Sequence, residues 1–256
     1  GAEALRDGRL CWNAGRVVVL GCSMPFKCPA APYEVAMLLE YDFRKRGIRD
    51  NVQIDLYTPE PGPMPVAGPE VSKQVRQMIK AKGIGYYPEH TVSHVDQITR
   101  RITFTNGAMT EFNFLVYVPP HRAPQVVRDA GLAAESGWVP VNRETLETRL
   151  PNVYAIGDVT GIMLSMGKPL PKAGVFAHGE AEVVANNLVY EITGKGRPTT
   201  FNGYGECFIE TGDGRAGYGS GNFFAEPIPE IKLRMPSRSL HMGKVAFEKF
   251  WLYEWF

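Results

Sequence analysis

The stretch Val17-Val-Val-Leu-Gly21, followed by Cys22-Ser-Met-Pro-Phe-Lys-Cys-Pro-Ala-Ala-Pro-Tyr-Glu34 and Val35-Ala-Met-Leu-Leu-Glu-Tyr-Asp-Phe-Arg-Lys-Arg-Gly47, decides the reading of this chain. A β-branched apolar run ends at a glycine, passes through a short loop and enters a helix, which is the opening of a βαβ unit. In a dinucleotide-binding unit that loop would hold a phosphate. Such a site needs glycines at spaced positions, so that main-chain N–H groups reach the anion at a helix N-terminus. Here Pro25, Pro29 and Pro32 remove donors and the G-x-G-x-x-G spacing is absent.

The loop presents sulfur instead. Pro32 suits a first helical turn, Glu34 complements the positive end of the helix, and Arg44, Lys45 and Arg46 complement the negative end before Gly47. Cys28 therefore lies near a helix N-terminus beside Lys27, two features that favour a thiolate. The same residues taken alone also describe a buried structural cysteine.

Outward from this unit, the 256 residues allow one large domain or two modest ones, and a net charge of +1 gives no case for nucleic acid. No apolar run approaches the roughly 20 residues that span a bilayer, and no signal peptide opens the chain. The first residues, GAEALRDGRL, read like the middle of a longer protein. The four cysteines, Cys11, Cys22, Cys28 and Cys207, do not have zinc-ligand spacing, so no metal is expected.

A second strand is predicted over 51–58 and a helix from Pro69 to near Gly83, with Val71, Val75, Met78 and Ile79 on one face. Strands follow over 84–87, 91–95, 101–104 and 111–118, with a hairpin turn at Asn106-Gly107. After the stiff segment Pro119-Pro-His-Arg-Ala-Pro124, a strand and turn are predicted over 136–148. A buried strand is predicted over 151–160, ending in Gly157-Asp158. A helix with Ala177, Ala181, Val184, Ala185 and Leu188 on its face puts Lys172-Ala173-Gly174-Val175 at its N-terminus and ends at Gly194-Lys195-Gly196. Two strands joined at Gly212-Asp213-Gly214 carry Cys207. The chain closes on Phe247, Phe250, Trp251, Tyr253, Trp255 and Phe256 with Lys244 and Lys249. Such a segment suits an interfacial helix, a core-packing helix or a dimer contact.

The segment Pro25-Phe-Lys-Cys-Pro-Ala-Ala-Pro-Tyr-Glu34 resembles the cysteine loop of the sulfide:quinone oxidoreductase and flavocytochrome c sulfide dehydrogenase group, within the two-dinucleotide-domain flavoproteins. Asn152-Val-Tyr-Ala-Ile-Gly-Asp158 is similar to the stretch that holds the ribityl chain of FAD in that superfamily. The resemblance implies an α/β, Rossmann-like two-dinucleotide-domain flavoprotein fragment with a C-terminal strand and helix region. Residues 1–12 would end a truncated FAD-binding half, 13–118 form the second, NAD-type Rossmann domain, 119–196 return to the FAD-binding domain, and 197–256 carry the second redox cysteine and a membrane or dimer contact. The FAD motif and roughly the first hundred residues of a typical parent would be missing.

By the same resemblance Cys28 and Cys207 are the catalytic sulfurs, and Gly157, Asp158, Lys172, Ala173, Gly174, Val175, Pro120 and His121 bind FAD. The substrate would be sulfide or a related sulfur donor, and the acceptor a quinone reached at a membrane surface. Location would be peripheral on the cytoplasmic face, or periplasmic for a flavocytochrome c-type enzyme with a haem subunit. A homo-oligomer is a further expectation, and a flavocytochrome c-type sulfide dehydrogenase or an NAD(P)H-dependent flavin reductase is the alternative reading, the latter needing phosphate-binding glycines that the loop after Val17 lacks. A non-catalytic interaction module stands as the reading from a different class.

Overall fold

A computed structural model describes residues 2–255. Gly1, Phe256 and the side chains of Ala2 and Trp255 lie outside the described residues, and with them the last two rings of the aromatic tail. The chain runs α1 (Ala2–Cys11), β1 (Gly15–Gly21), α2 (Ala31–Lys45), β2 (Val52–Tyr57), α3 (Pro69–Ala81), β3 (Gly85–Tyr87), β4 (Val92–Asp96), β5 (Arg101–Phe104), β6 (Met109–Glu111) and β7 (Phe114–Val118). It continues through α4 (Gln125–Asp129), α5 (Gly174–Thr193), β8 (Tyr204–Gly212), β9 (Arg215–Asn222), β10 (Glu230–Ser237) and α6 (Arg238–Trp255).

The centre is a four-stranded parallel sheet in the order β3-β2-β1-β7, with β1 flanked on both sides. That position explains its sequence: Val17, Val18, Val19 and Leu20 are all buried, because a central parallel strand is covered on both faces. Val17 and Val19 pack under α2 and α3 with Tyr33, Met37, Phe43, Val75 and Ile79, while Val18 and Leu20 meet Tyr57, Ile102 and Phe104 on the other side. Each such aliphatic side chain contributes about 1.5–3 kcal/mol of burial. A three-stranded antiparallel meander, β4-β5-β6, supplies that second cover.

The hairpin at Asn106-Gly107 forms as expected, with Gly107 at φ 84° and the Ala108 N–H donating to Asn106 Oδ1 at 3.0 Å. The single strand predicted over 111–118 is two. Residues up to Glu111 pair with β5, and from Phe114 onward the chain pairs with β1. Asn113 makes the transfer, bonding both main-chain groups of Arg16: its N–H donates to Arg16 O at 2.9 Å, and its side-chain Oδ1 accepts the Arg16 N–H at 2.8 Å.

Residues 119–173 contain little regular structure, and this corrects the strands expected over 136–148 and 151–160. Only single bridges form there, Val139 with Thr160 and Glu147 with Tyr154. Leu146, Asn152 and Gly157 take positive φ values of 63°, 61° and 72°, which an extended strand cannot accommodate, and Gly157–Val159 is a 3-10 turn.

Helix α5 begins with Ala173 as its N-cap and ends at Gly194 in the left-handed conformation, as its sequence predicts. Its buried face differs from the predicted one: Phe176, Glu180, Val183 and Asn187 point inward, and Ala185 is exposed. The large ring of Phe176, edge-on to Phe201 and Phe223, sets that rotation. The C-terminal sheet, β10-β9-β8, includes a third strand absent from the sequence reading; its Ile231 and Leu233 pack onto the α2/α3 core, as does Ile209 of β8.

Candidate active site

The cysteine loop is held by main-chain bonds. Cys28 lies at φ 58°, its N–H donates to Lys172 O at 2.8 Å, and the Lys27 N–H donates to His121 Nδ1 at 2.7 Å. Three distant segments meet here: the loop after β1, the segment 119–124, and the approach to α5. The N–H groups of Lys27 and Cys28 are thus consumed within the protein, whereas a phosphate loop would leave them open.

The thiolate expectation for Cys28 is corrected. Crowding of its sulfur by the surrounding protein pushes the thiol above its ordinary pKa, and the Glu34 carboxylate pushes further; hydrogen bonds from the Ala31 and Ala30 main chain act the other way but do not prevail. The Lys27 ammonium is turned toward Asp158, at 3.5 Å from Oδ2.

Cys207, on β8, lies within electrostatic range of Cys28 and Glu34, with 178 residues between the two cysteines. Burial pushes its thiol up to about 12, with Cys28 and Glu34 adding to the rise and Lys244 of α6 opposing it. Cys28 and Cys207 are exposed as whole residues, and all four cysteines are free thiols. Glu34 links the two sides, accepting the Glu210 N–H of β8 at 2.7 Å; burial raises its own pKa.

Around the loop lies a set of charges. Lys172 is 5% exposed, its Nζ donating to Thr160 O at 2.7 Å and lying 3.7 Å from the centre of the Trp138 ring. Burial lowers its pKa to about 8, against the pull of Asp158 and Glu180. Glu180, 1% exposed, accepts the Gly157 N–H, and burial raises its pKa to about 7. His121 is held below its ordinary pKa by burial and then by Lys27.

The structure therefore brings together Cys28, Cys207, His121, Gly157, Asp158 and Lys172, with Ala173, Gly174 and Val175 opening α5 alongside. Pro120 is exposed beside His121 and makes no polar contact of its own among those described. Glu180, Trp138 and Lys244 belong to this neighbourhood and were not singled out in the sequence. The placing of Glu180 one turn after Phe176 and one turn before Val183, on the face those residues bury, is the one signal that could have found it.

The residues fit a dinucleotide flavin. The N-terminus of α5 carries no side-chain cap, and Gly174 has open space where a side chain would be. Asp158 offers a partly exposed carboxylate, 34% accessible. At Gly157 a Cβ would lie 3.2 Å from Ala177 Cβ, tighter than ordinary contact, so the turn packs closely on α5.

Residues 33–181 match the family model of pyridine nucleotide-disulphide oxidoreductases. The chain belongs to that family. Its members are FAD-dependent oxidoreductases. Among the family's curated proteins, mitochondrial sulfide:quinone oxidoreductase of Schizosaccharomyces pombe is 29% identical over 211 residues, covering 79% of this chain and 44% of that protein. Sulfide-quinone reductase of Aquifex aeolicus is 28% identical over 252 residues, covering 93% and 57%. The chain thus spans about half the length of the curated relatives it matches. The solved structure of sulfide:quinone oxidoreductase from the hyperthermophile Aquifex aeolicus superposes on 98% of this chain and 61% of that one, with a TM-score of 0.84 at 24% identity, which establishes a Rossmann-like α/β fold.

Proposed function

We propose that this chain carries the sulfur site of an FAD-dependent enzyme that oxidises sulfide and passes the electrons to a quinone. The single observation that supports the reading is the fastening of the Cys28 loop on two sides: the Cys28 N–H donates to Lys172 O just before α5, and Glu34 of the following helix accepts the Glu210 N–H of β8, the strand that carries Cys207.

With the two sulfurs joined as a disulfide, HS⁻ attacks one of them. The S–S bond breaks, one cysteine becomes a persulfide, and the other leaves as a thiolate that takes the bond's electron pair. Bound FAD supplies the two-electron acceptor for that thiolate and the link to quinone. Gly157, Asp158 and the Lys172–Val175 turn hold the cofactor, and the α5 N-terminus favours negative charge developing next to it. His121 fixes the loop by accepting from Lys27. The spent N–H groups of Lys27 and Cys28 favour this chemistry over a nicotinamide phosphate at the same loop.

The access of a lipid-soluble quinone is served by α6, which exposes Met242, Phe247, Phe250, Leu252 and Tyr253. No helix among the described residues is long and apolar enough to cross a membrane, so the proposed association is peripheral.

The test is anaerobic titration of the full-length protein with sulfide while the flavin band is followed, for wild type, Cys28→Ser and Cys207→Ser. Bleaching in wild type that either substitution abolishes supports the site. Equal bleaching in all three assigns the cysteines a structural role, and a protein without flavin absorbance supports the non-catalytic reading.

A further inference from the structure

We infer that Glu180 is a positioning residue of the cofactor site: from α5 it holds the Gly157 N–H, which fixes the Gly157–Asp158 turn, and it sets a buried negative charge against the electron-accepting group. The inference rests on reading that turn and the α5 N-terminus as part of the FAD site.

Glu180 lies two turns inside a 20-residue helix and is 1% exposed. Burying a carboxylate is costly, and an apolar side chain of similar size would pack there without that cost. Its one hydrogen bond goes to the Gly157 main chain, at the residue whose φ of 72° turns the chain toward Asp158. A glutamine would make that bond equally well. What the glutamate adds is charge.

The charged groups facing it form an alternating series. Lys172 attracts it and Asp158 repels it, while Lys27 pairs with Asp158 at 3.5 Å. On its own helix, His178 lies 3.5 Å from Glu182. Lys172 and the α5 N-terminus favour an added electron pair beside them; Glu180 opposes it. The carboxylate therefore lowers the electron affinity of the site while securing its geometry.

The test compares wild type, Glu180→Gln and Glu180→Ala in the full-length protein. Hydrogen exchange of the peptide containing Gly157, measured without FAD, is expected to quicken at least tenfold in the alanine variant and to stay at the wild-type rate in the glutamine variant. The flavin midpoint potential, measured electrochemically with no sulfide present, is expected to rise in Glu180→Gln, by more above pH 7 than below it. A purely structural role would leave the potential of the glutamine variant at the wild-type value, and that result overturns the inference, as does unchanged exchange in the alanine variant. If the alanine variant does not fold, the potential of Glu180→Gln decides. Because neither readout uses sulfide, a protein that shifts as expected but is not reduced by sulfide keeps this inference and loses the sulfide reading. One that takes up no FAD loses both.

Discussion

Glu34, in the first turn of α2, accepts the main-chain N–H of Glu210 on β8 at 2.7 Å, so the helix that follows one cysteine is fastened to the strand that carries the other. Its negative charge raises the pKa of both Cys28 and Cys207. The same carboxylate thus ties the two cysteine-bearing elements to each other and adds to the effect of burial on both thiols.

Glu34→Gln keeps an acceptor for the Glu210 N–H and removes the charge. Both thiols should then ionise at lower pH, and alkylation by iodoacetamide at pH 8 should quicken severalfold at Cys28 and Cys207. Mass spectrometry of the labelled peptides reads each site separately. Unchanged rates would show that the charge of Glu34 does not control the sulfurs.

Lys172 is pushed down to about 8 by burial, so the folded chain binds fewer protons than the unfolded chain between about pH 8 and the ordinary lysine pKa of 10.5. Its charge costs stability in full below pH 8, and that cost disappears as pH rises toward 10.5. The span of the shift corresponds to about 3 kcal/mol. Lys172→Met should therefore gain on wild type at pH 6 relative to pH 10, when the two are compared by urea denaturation. A difference that does not vary with pH would contradict this.

Gly157 and Gly167 both take positive φ, 72° and 76°, but only at Gly157 would a Cβ meet a neighbour, Ala177 Cβ at 3.2 Å. Gly167→Ala should cost about 1–2 kcal/mol from the backbone alone. Gly157→Ala should cost more, because the turn must also move off α5, and FAD retention should fall with it. Equal thermal shifts in the two variants would remove the contact with α5 from the account.

Phe247 and Phe250 of α6 are 51% and 58% exposed, and Met242, Leu252 and Tyr253 of the same helix are exposed with them. Replacing both with serine should weaken sedimentation with anionic lipid vesicles by tenfold or more and leave the thermal midpoint within a few degrees. A large loss of thermal stability with unchanged sedimentation would instead make α6 a core helix.

The parallel βαβ unit, the Asn106-Gly107 hairpin, the start and stop of α5, and the strand pair around Gly212-Asp213-Gly214 were legible because each follows from local chemistry: a β-branched run, turn residues with positive φ, or helix-end residues. The cysteine loop was legible as well, since prolines exclude a phosphate cradle by removing N–H donors. The family itself could be read from the ten residues Pro25 to Glu34.

Other features depend on what the chain meets after it folds. The run 111–118 divides at Asn113 because Arg16, almost a hundred residues earlier, offers both halves of a main-chain pair. The inward face of α5 follows Phe176 against Phe201 and Phe223, and that rotation buries Glu180. The acidity of Cys28 was misjudged from its neighbours in sequence, because Lys27 turns to Asp158 while Glu34 and the surrounding protein act on the sulfur. Periodicity and turn chemistry are local and can be read along the chain. Burial, charge pairing and the meeting of Cys28 with Cys207 are sums over neighbours that only the tertiary structure supplies.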